Sequence, residues 1–406
     1  MSLLEALPRP QVSWRQWQPN SVLIFLACAM LAAIWLFDVV SVAPNRIVSG
    51  EGAGLIDAVG WLGALLVTSV IVTLVALALQ PSRHGYQVAL VGVLLLLLLM
   101  PFGLMVASNR LISGDTPGAR LNMGMAYWCL LSFLLLCWVE LRLRLVLLRR
   151  WTILLVLAVG LVWSLCATLG LEALALGQEF RARDAQFWRA LREHITLVVV
   201  SVAISIGLGL SLTLLMRRYS KLQKSAFAIL NFLQTIPSIA LFGLMLGPLA
   251  WLAAQWPLLS QLGVSGIGWA PALIALVAYS LLPMVRNTYI ALEQVSPDTL
   301  EAARGMGMRN SQRFWQVRLP LALPVLLEGV RITTVQAIGL TAVAALIGAG
   351  GLGSFIFQGL GQAAMDMVLL GALPILMLAL MADAGLGALA DVLRPRSDTA
   401  RPGEIE

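Results

Sequence analysis

Ten apolar runs, each about the length needed to cross a bilayer, constrain this chain more than any other feature. They are approximately 21–40, 55–79, 86–107, 123–139, 151–171, 194–216, 225–253, 269–292, 321–349 and 367–393. A bilayer core needs roughly 20 apolar residues per helix. Backbone polar groups in lipid must be bonded within the segment, so each run is expected to be helical. The predicted fold is therefore all-α, a polytopic integral membrane protein of about ten transmembrane helices. Composition agrees, with 60% hydrophobic and only 12% charged residues. So polar a deficit leaves too little surface to face water, where soluble domains carry about 25% charged residues.

The net charge of +7 is informative through its distribution. With the N-terminus placed in the cytoplasm, cytoplasmic segments hold 18 of the 27 Lys and Arg residues. They include Arg9 and Arg15, Arg142 to Arg150, Arg217 to Lys224, Arg304 to Arg318, and Arg394, Arg396 and Arg401. The other side holds seven, Arg46, Arg110, Arg120, Arg181, Arg183, Arg189 and Arg192. This bias predicts both termini inside. The charge belongs to membrane topology, and no nucleic-acid partner is expected. The first run lacks a small-residue cleavage site and is expected to be a retained helix.

Five chemistries are excluded as expectations. Cys28, Cys129, Cys137 and Cys166 all lie in apolar runs without CxxC spacing, and His84 and His194 are far apart. That pattern argues against a metal site and a disulfide framework. No GxxxxGK[ST] motif occurs, and the only lysines are Lys221 and Lys224, so the chain is not expected to hydrolyse ATP itself. No catalytic constellation and no cofactor motif is present.

The halves differ. The first five runs are leucine-rich, as in Leu94–Leu99, with Asp38 and Asp57 near outer ends. Residues 172–193 then place Phe180, Phe187, Trp188 and Leu191 at helical spacing among charges, the pattern of an amphipathic connector. The last five runs carry polar and helix-breaking residues, which are costly in lipid unless they face other helices or water. Gln234, Thr235, Pro237, Tyr279, Asn287, Thr334 and Gln336 are candidate lining residues of a translocation path. Glu328 and Arg331, three apart, are expected to pair. The glycines in Gly348–Gly353 are expected to allow a re-entrant turn that returns Phe355, Ile356 and Phe357 towards the membrane. The expected division is 1–171 as an N-terminal five-helix membrane region, 172–193 as the connector, 194–393 as a five-helix core and 394–406 as a cytoplasmic tail.

The longest polar interval of the C-terminal half is EQVSPDTLEAARGMGMRNSQRFWQVRLPLALP, Glu293 to Pro324. Ser296 is placed to cap a helix, Pro297 suits its first position, and Asp298 complements the positive end of the dipole. Gly305 or Gly307 is expected to end that helix. Asn310 or Ser311 is expected to cap a second short helix through Phe314, Trp315 and Val317. Small and apolar positions on such a knob suit a partner groove.

Here the sequence resembles a family. Glu301-Ala302-Ala303, then Gly307, then Val317 and Leu319-Pro320 match the spacing of the EAA loop of ABC importer permeases, with Val317 where isoleucine is usual. The resemblance implies a coupling helix, including Gly305 and Pro320, that docks on an ATPase. It extends over roughly His194 to Leu393 and implies an ABC permease core there. Leu233–Ser238, Tyr279–Tyr289 and Ala344–Gly353 are similar to permeases for glycine betaine, choline and related osmoprotectants. The extra N-terminal half resembles the Yeh-type subgroup, described as low-affinity betaine importers. The family implies as partners a cytoplasmic ABC ATPase, a periplasmic substrate-binding protein and a second permease, the same chain or another, in the bacterial inner membrane. Two rival classes remain: an ion-coupled secondary transporter, which needs an uncompensated midplane carboxylate or broken helices in matching halves, and a membrane protein with no translocation path.

Overall fold

A computed structural model describes residues 18–45, 48, 50–112, 118–147, 149–261 and 263–393. The tail arginines Arg9, Arg15, Arg394, Arg396 and Arg401, together with Arg46, lie outside the described residues. The chain divides into two compact units, 1–181 and 182–406.

In the first unit, α1 (Ser21–Leu36), α2 (Leu55–Leu79), α3 (Arg83–Leu111), α4 (Met125–Leu145) and α5 (Arg149–Leu169) follow the first five apolar runs, and α6 (Ala175–Ala182) closes it. Between these helices lie three short strands, β1 (Val40–Ala43), β2 (Glu51–Ala53) and β3 (Arg120–Met123). They form an antiparallel sheet in the order β2-β1-β3, with Val40 opposite both Ala53 and Met123. This sheet is an addition to the helical fold that the apolar pattern did not predict. Its strands are three or four residues long, and β1 and β3 are far apart in sequence. The apolar core runs through α1 to α4, with Met30, Ile34, Ile71, Leu97, Leu104, Leu134 and Leu141 buried. Leu62 and Leu161 point outward, as lipid-facing leucines do.

Asn20 organises one end of this unit. Its side chain accepts from Leu23 N–H, capping α1, and its Nδ2 donates to Glu140 Oε1 at 3.0 Å and to Tyr86 Oη at 3.3 Å. Glu140 also receives Arg144 Nε at 2.8 Å. One buried amide thus ties α1, α3 and α4 together, a network that the leucine-rich sequence did not reveal.

The second unit begins with α7 (Asp184–Arg218), 35 residues or about 52 Å long. Residues 172–193 therefore hold α6 and the first turns of α7, because the charged segment continues as helix into the apolar one. The run 225–253 was expected as one bent helix. It is two helices, α8 (Ser220–Thr235) and α9 (Ser238–Gln255), broken at Ile236-Pro237. Pro237 has no N–H to donate, and its ring opposes a continuing turn. After α10 (Pro257–Gln261) come α11 (Trp269–Glu293), α12 (Pro297–Gly305) and α13 (Asn310–Gln312). A π-helical turn, Arg313–Arg318, runs into α14 (Leu319–Ala344), followed by a 3-10 turn (Ala345–Ile347), α15 (Gly353–Gly361) and α16 (Met365–Leu393).

Among the described residues, eight helices are long and apolar enough to cross a membrane, and α1 and part of α5 are shorter apolar helices. The fold is thus all-α and polytopic, roughly consistent with about ten spans. In the second unit α7, α11 and α14 form the packed centre. Small and hydroxyl residues line their contacts, with Ser201, Ser205, Thr213, Ser280, Thr288 and Thr333 fully buried. Such residues let backbones approach closely where lipid removes the hydrophobic advantage of large side chains. α15 turns back against α16, burying Phe355 completely. Gly353 is required there: a Cβ on it would lie 1.9 Å from the Ala342 carbonyl oxygen.

Candidate functional site

The interval Glu293–Pro324 folds as a knob at the ends of α11 and α14. α12 begins at Pro297, whose missing N–H is unneeded at that position, with Asp298 in its first turn. Ser296 occupies the N-cap position, yet its side chain makes no cap bond, which corrects the expectation. Its carbonyl instead accepts Leu300 N–H at 3.3 Å.

α12 ends at Gly305. Met306 N–H bonds the Ala302 carbonyl, Gly307 N–H that of Arg304, and Met308 N–H that of Ala303. Gly307 adopts φ +80°, left-handed, and a Cβ there would meet nothing within 4 Å. Glycine is therefore required by backbone conformation rather than by space. Gly305 is ordinary helix.

A nine-residue helix is marginal alone. α12 is held by Ala303, which is buried, and by Leu300, which packs with Phe314, Leu319 and Val325 on Ala291, Leu292, Val295, Ala322 and Leu326. Leu300 is only partly buried, so its packing contributes less than the roughly 1.5–3 kcal/mol of a fully buried leucine. Glu301, Ala302, Gly305 and Met306 face outward on the other side, as does Trp315.

The second helix of the knob starts one residue earlier than expected. Arg309, not Asn310 or Ser311, is the N-cap of α13, because Gln312 Oε1 accepts Arg309 N–H at 2.9 Å. Val317, half-buried, lies in the π-helical turn, where Leu319 N–H reaches back to the Phe314 carbonyl. Pro320 supplies no N–H and would crowd the carbonyl four residues before it, so a widened turn is the relaxed way into α14.

The candidate path residues divide into two groups. Gln234, Pro237 and Tyr279 come together. Pro283 cannot bond the Tyr279 carbonyl four residues before it, and Gln234 Nε2 donates to that carbonyl at 2.8 Å. Tyr279 Oη donates to the Ile236 carbonyl beside Pro237. Two cross-helix bonds thus satisfy the groups left by the break in α8–α9 and by the proline in α11. Thr235 bonds its own helix at the Phe232 carbonyl.

The remaining three lie on α11 and α14. Asn287 donates to the Pro283 carbonyl at 2.8 Å and sits where Gly329 of α14 approaches closely. Thr334 bonds the Val330 carbonyl, and Gln336 is half-buried on α14.

Glu328 and Arg331 do pair, at 3.1 Å, and Arg331 Nε also reaches Asp383 Oδ1 of α16 at 2.6 Å. Asp383 was not anticipated: it is 52 residues away, beyond any local spacing rule. The cluster locks α14 to α16 with two carboxylates around one guanidinium.

At the opposite ends of α7, α11 and α14, the glycine loop is pinned twice. Gly351 N–H bonds Glu193 Oε2 at 3.0 Å, and Gly268 N–H bonds the Ile347 carbonyl at 2.8 Å. Beneath it His194 is fully buried, with Nε2 against the Ile338 carbonyl at 3.2 Å. Among the described residues, no group of three or more His, Cys, Asp or Glu could hold a metal ion.

Comparisons with known proteins follow this division of the chain. Residues 203–396 match the family described as binding-protein-dependent transport system inner membrane component. Residues 18–176 match the N-terminal domain of the ABC transporter permease YehY. The osmoprotectant import permease OsmW of Salmonella typhimurium is 43% identical over 204 residues, covering 50% of this chain and 90% of that protein. The carnitine transport permease OpuCB of Listeria monocytogenes is 37% identical over 184 residues, 45% of this chain and 77% of that protein. The choline transport permease OpuBB of Bacillus subtilis is 34% identical over 203 residues, 50% of this chain and 86% of that protein.

Proposed function

Because the chain belongs to the binding-protein-dependent transport system inner membrane components, we propose that it is the permease subunit of an ATP-driven importer for osmoprotectants of the glycine betaine, choline and carnitine type. The observation that carries the coupling assignment is the knob. Glu301, Ala302, Gly305 and Met306 face outward from a short helix whose other side is fixed to α11 and α14 through Ala303 and Leu300. The partner ATPase docks on the outward side, and its closure moves α12 with both helix ends. Val317, Leu319 and Pro320 carry that displacement through the π-helical turn into α14. The knob then lies in the cytoplasm with both termini, and hydrolysis belongs to the ATPase.

The substrate reaches the other face on a periplasmic binding protein. Residues 194–393 act as the permease core beside a second permease copy or chain, and the N-terminal five-helix region, 1–171, accompanies it in the bacterial inner membrane. The broken α8–α9, hinged at Pro237 and clamped by Gln234 and Tyr279, is the element best built to change shape as the core alternates. Thr235, Asn287, Thr334 and Gln336 are proposed to line the path beside it.

One observation favours a second reading. Asp383 joins the Glu328–Arg331 pair, so that two carboxylates share one guanidinium, an arrangement that an ion-coupled transporter would use. Uptake of labelled glycine betaine in cells lacking other betaine importers separates the two. Uptake that needs the co-expressed ATPase supports the import assignment, and uptake unchanged without it rejects that assignment.

A further inference from the structure

At the face opposite the knob, a cleft of about 490 Å³ opens between the first turns of α7, the start of α11 and the glycine loop. Arg189, Arg192, Glu193 and Thr196 form one wall, spaced by three and four so that a single face of α7 presents them. Trp269 of α11 also lines the cleft, with Leu197 and Leu273 among its apolar residues. The volume falls within the roughly 300–1,000 Å³ of small-molecule sites, which combine an apolar lining with a few placed polar groups.

The charges in this cleft are arranged unequally. Neither Arg189 nor Arg192 has a hydrogen-bond or ion-pair partner among the described residues. Glu193 is fixed: its Oε2 accepts Gly351 N–H, and a Cβ on Gly350 would lie 2.2 Å from that oxygen. Gly350 and Gly351, at φ +77° and +82°, turn the loop into the shape that holds this carboxylate. An indole with a positioned carboxylate attracts a quaternary ammonium, which has no hydrogen to donate and is recognised by charge and by the aromatic face. Free guanidiniums are forks for a carboxylate.

We propose that this cleft is a binding site of the permease itself for a zwitterionic quaternary amine, its cationic end at Trp269 and Glu193 and its carboxylate at Arg189 and Arg192. The inference rests on the osmoprotectant reading and adds a site to it. A ligand seated here touches the Glu193 pin, so occupancy is felt directly by the glycine loop between α14 and α15.

The test is equilibrium binding of labelled glycine betaine and labelled choline to the full-length permease in nanodiscs of phosphatidylethanolamine and phosphatidylglycerol, which carry no choline headgroup. Wild type is expected to bind both saturably without a binding protein. W269A weakens both by roughly three- to thirtyfold, the span of a cation–aromatic contact from exposed to desolvated. The double variant R189Q/R192Q weakens glycine betaine and spares choline, which has no carboxylate. E193Q keeps an acceptor for Gly351 N–H while removing the charge, so it weakens both ligands without unpinning the loop.

Uptake by the complete wild-type transporter is measured alongside. Intact ATP-driven uptake with no saturable binding to the permease overturns the site and leaves the functional assignment standing. So does binding that W269A and E193Q leave unchanged. Loss of binding-protein docking in R189Q/R192Q, with amine binding by the permease absent, assigns the cleft to protein docking and also overturns the proposal. Failure of the complete wild-type transporter to take up any quaternary amine overturns the functional reading, and the ligand of the cleft with it.

Discussion

Replacing Gly307 probes the coupling knob with the least collateral change. The position has φ +80° and open space where a Cβ would stand. An alanine there meets no neighbour, and the whole cost is the left-handed backbone, about 1–2 kcal/mol for a residue with a Cβ. By the factor of ten per 1.4 kcal/mol, the population of the native turn falls roughly five- to thirtyfold relative to its unwound alternatives. The turn closes α12, so unwinding it releases the three bonds to the carbonyls of Ala302, Ala303 and Arg304. Asparagine tolerates this backbone better than alanine, and a β-branched residue tolerates it least.

ATP-driven uptake is therefore expected to fall in the order Gly, Asn, Ala, Val. Membrane insertion and the thermal midpoint of the purified permease should change little, because the knob sits at the margin of the core. Uptake by G307V at the wild-type rate, with equal amounts of protein, would refute the reasoning. Gly305 supplies the control. It is helical with nothing near its absent Cβ, so G305A gains about 1 kcal/mol of helix propensity. Any loss of uptake in G305A must come from a partner packed against that face.

Three further changes test the surrounding architecture. Q234A leaves the Tyr279 carbonyl without the donor that replaces Pro283, and should lower the stability of the purified permease by about 1–3 kcal/mol in thermal unfolding. N20A removes the cap of α1 and both side-chain bonds to Tyr86 and Glu140, and should cost about 1–2 kcal/mol, read as a lower thermal midpoint. R331M removes the guanidinium that Glu328 and Asp383 share and should destabilise by about 1–3 kcal/mol, less than for a fully buried pair because these side chains are partly exposed. The triple variant R331M/E328Q/D383N should recover much of that loss.

What the sequence revealed and what it hid divide along the range of the interactions involved. Apolar runs report burial in lipid directly, so the helices follow them closely. Pro237 announced a bend, and Gly305 or Gly307 a helix end, because their backbone constraints are local; that the bend is a full break, and that Gly307 carries the turn, came from the structure. The Glu328–Arg331 pair followed from helical spacing, whereas Asp383 joins from another helix and has no local signature. The same holds for the sheet formed by β1 and β3 and for the Asn20–Glu140–Tyr86 network. Local capping rules also misled: Gln312 returned to Arg309 N–H and set the start of α13 there, and Ser296 took the N-cap position without making the cap bond. The polar residues of α8 and α11 stood out as unusual in lipid, but their first task, replacing bonds that prolines remove, emerged only once the two helices were side by side.

The central claim is that a separate ATPase drives solute through this chain. Proteoliposomes holding the permease, its ATPase and its binding protein test it most directly, with labelled glycine betaine and the binding protein on the substrate side. Uptake is predicted to require ATP on the knob side and to be indifferent to imposed proton or sodium gradients. Uptake driven by such a gradient without ATP would contradict the account.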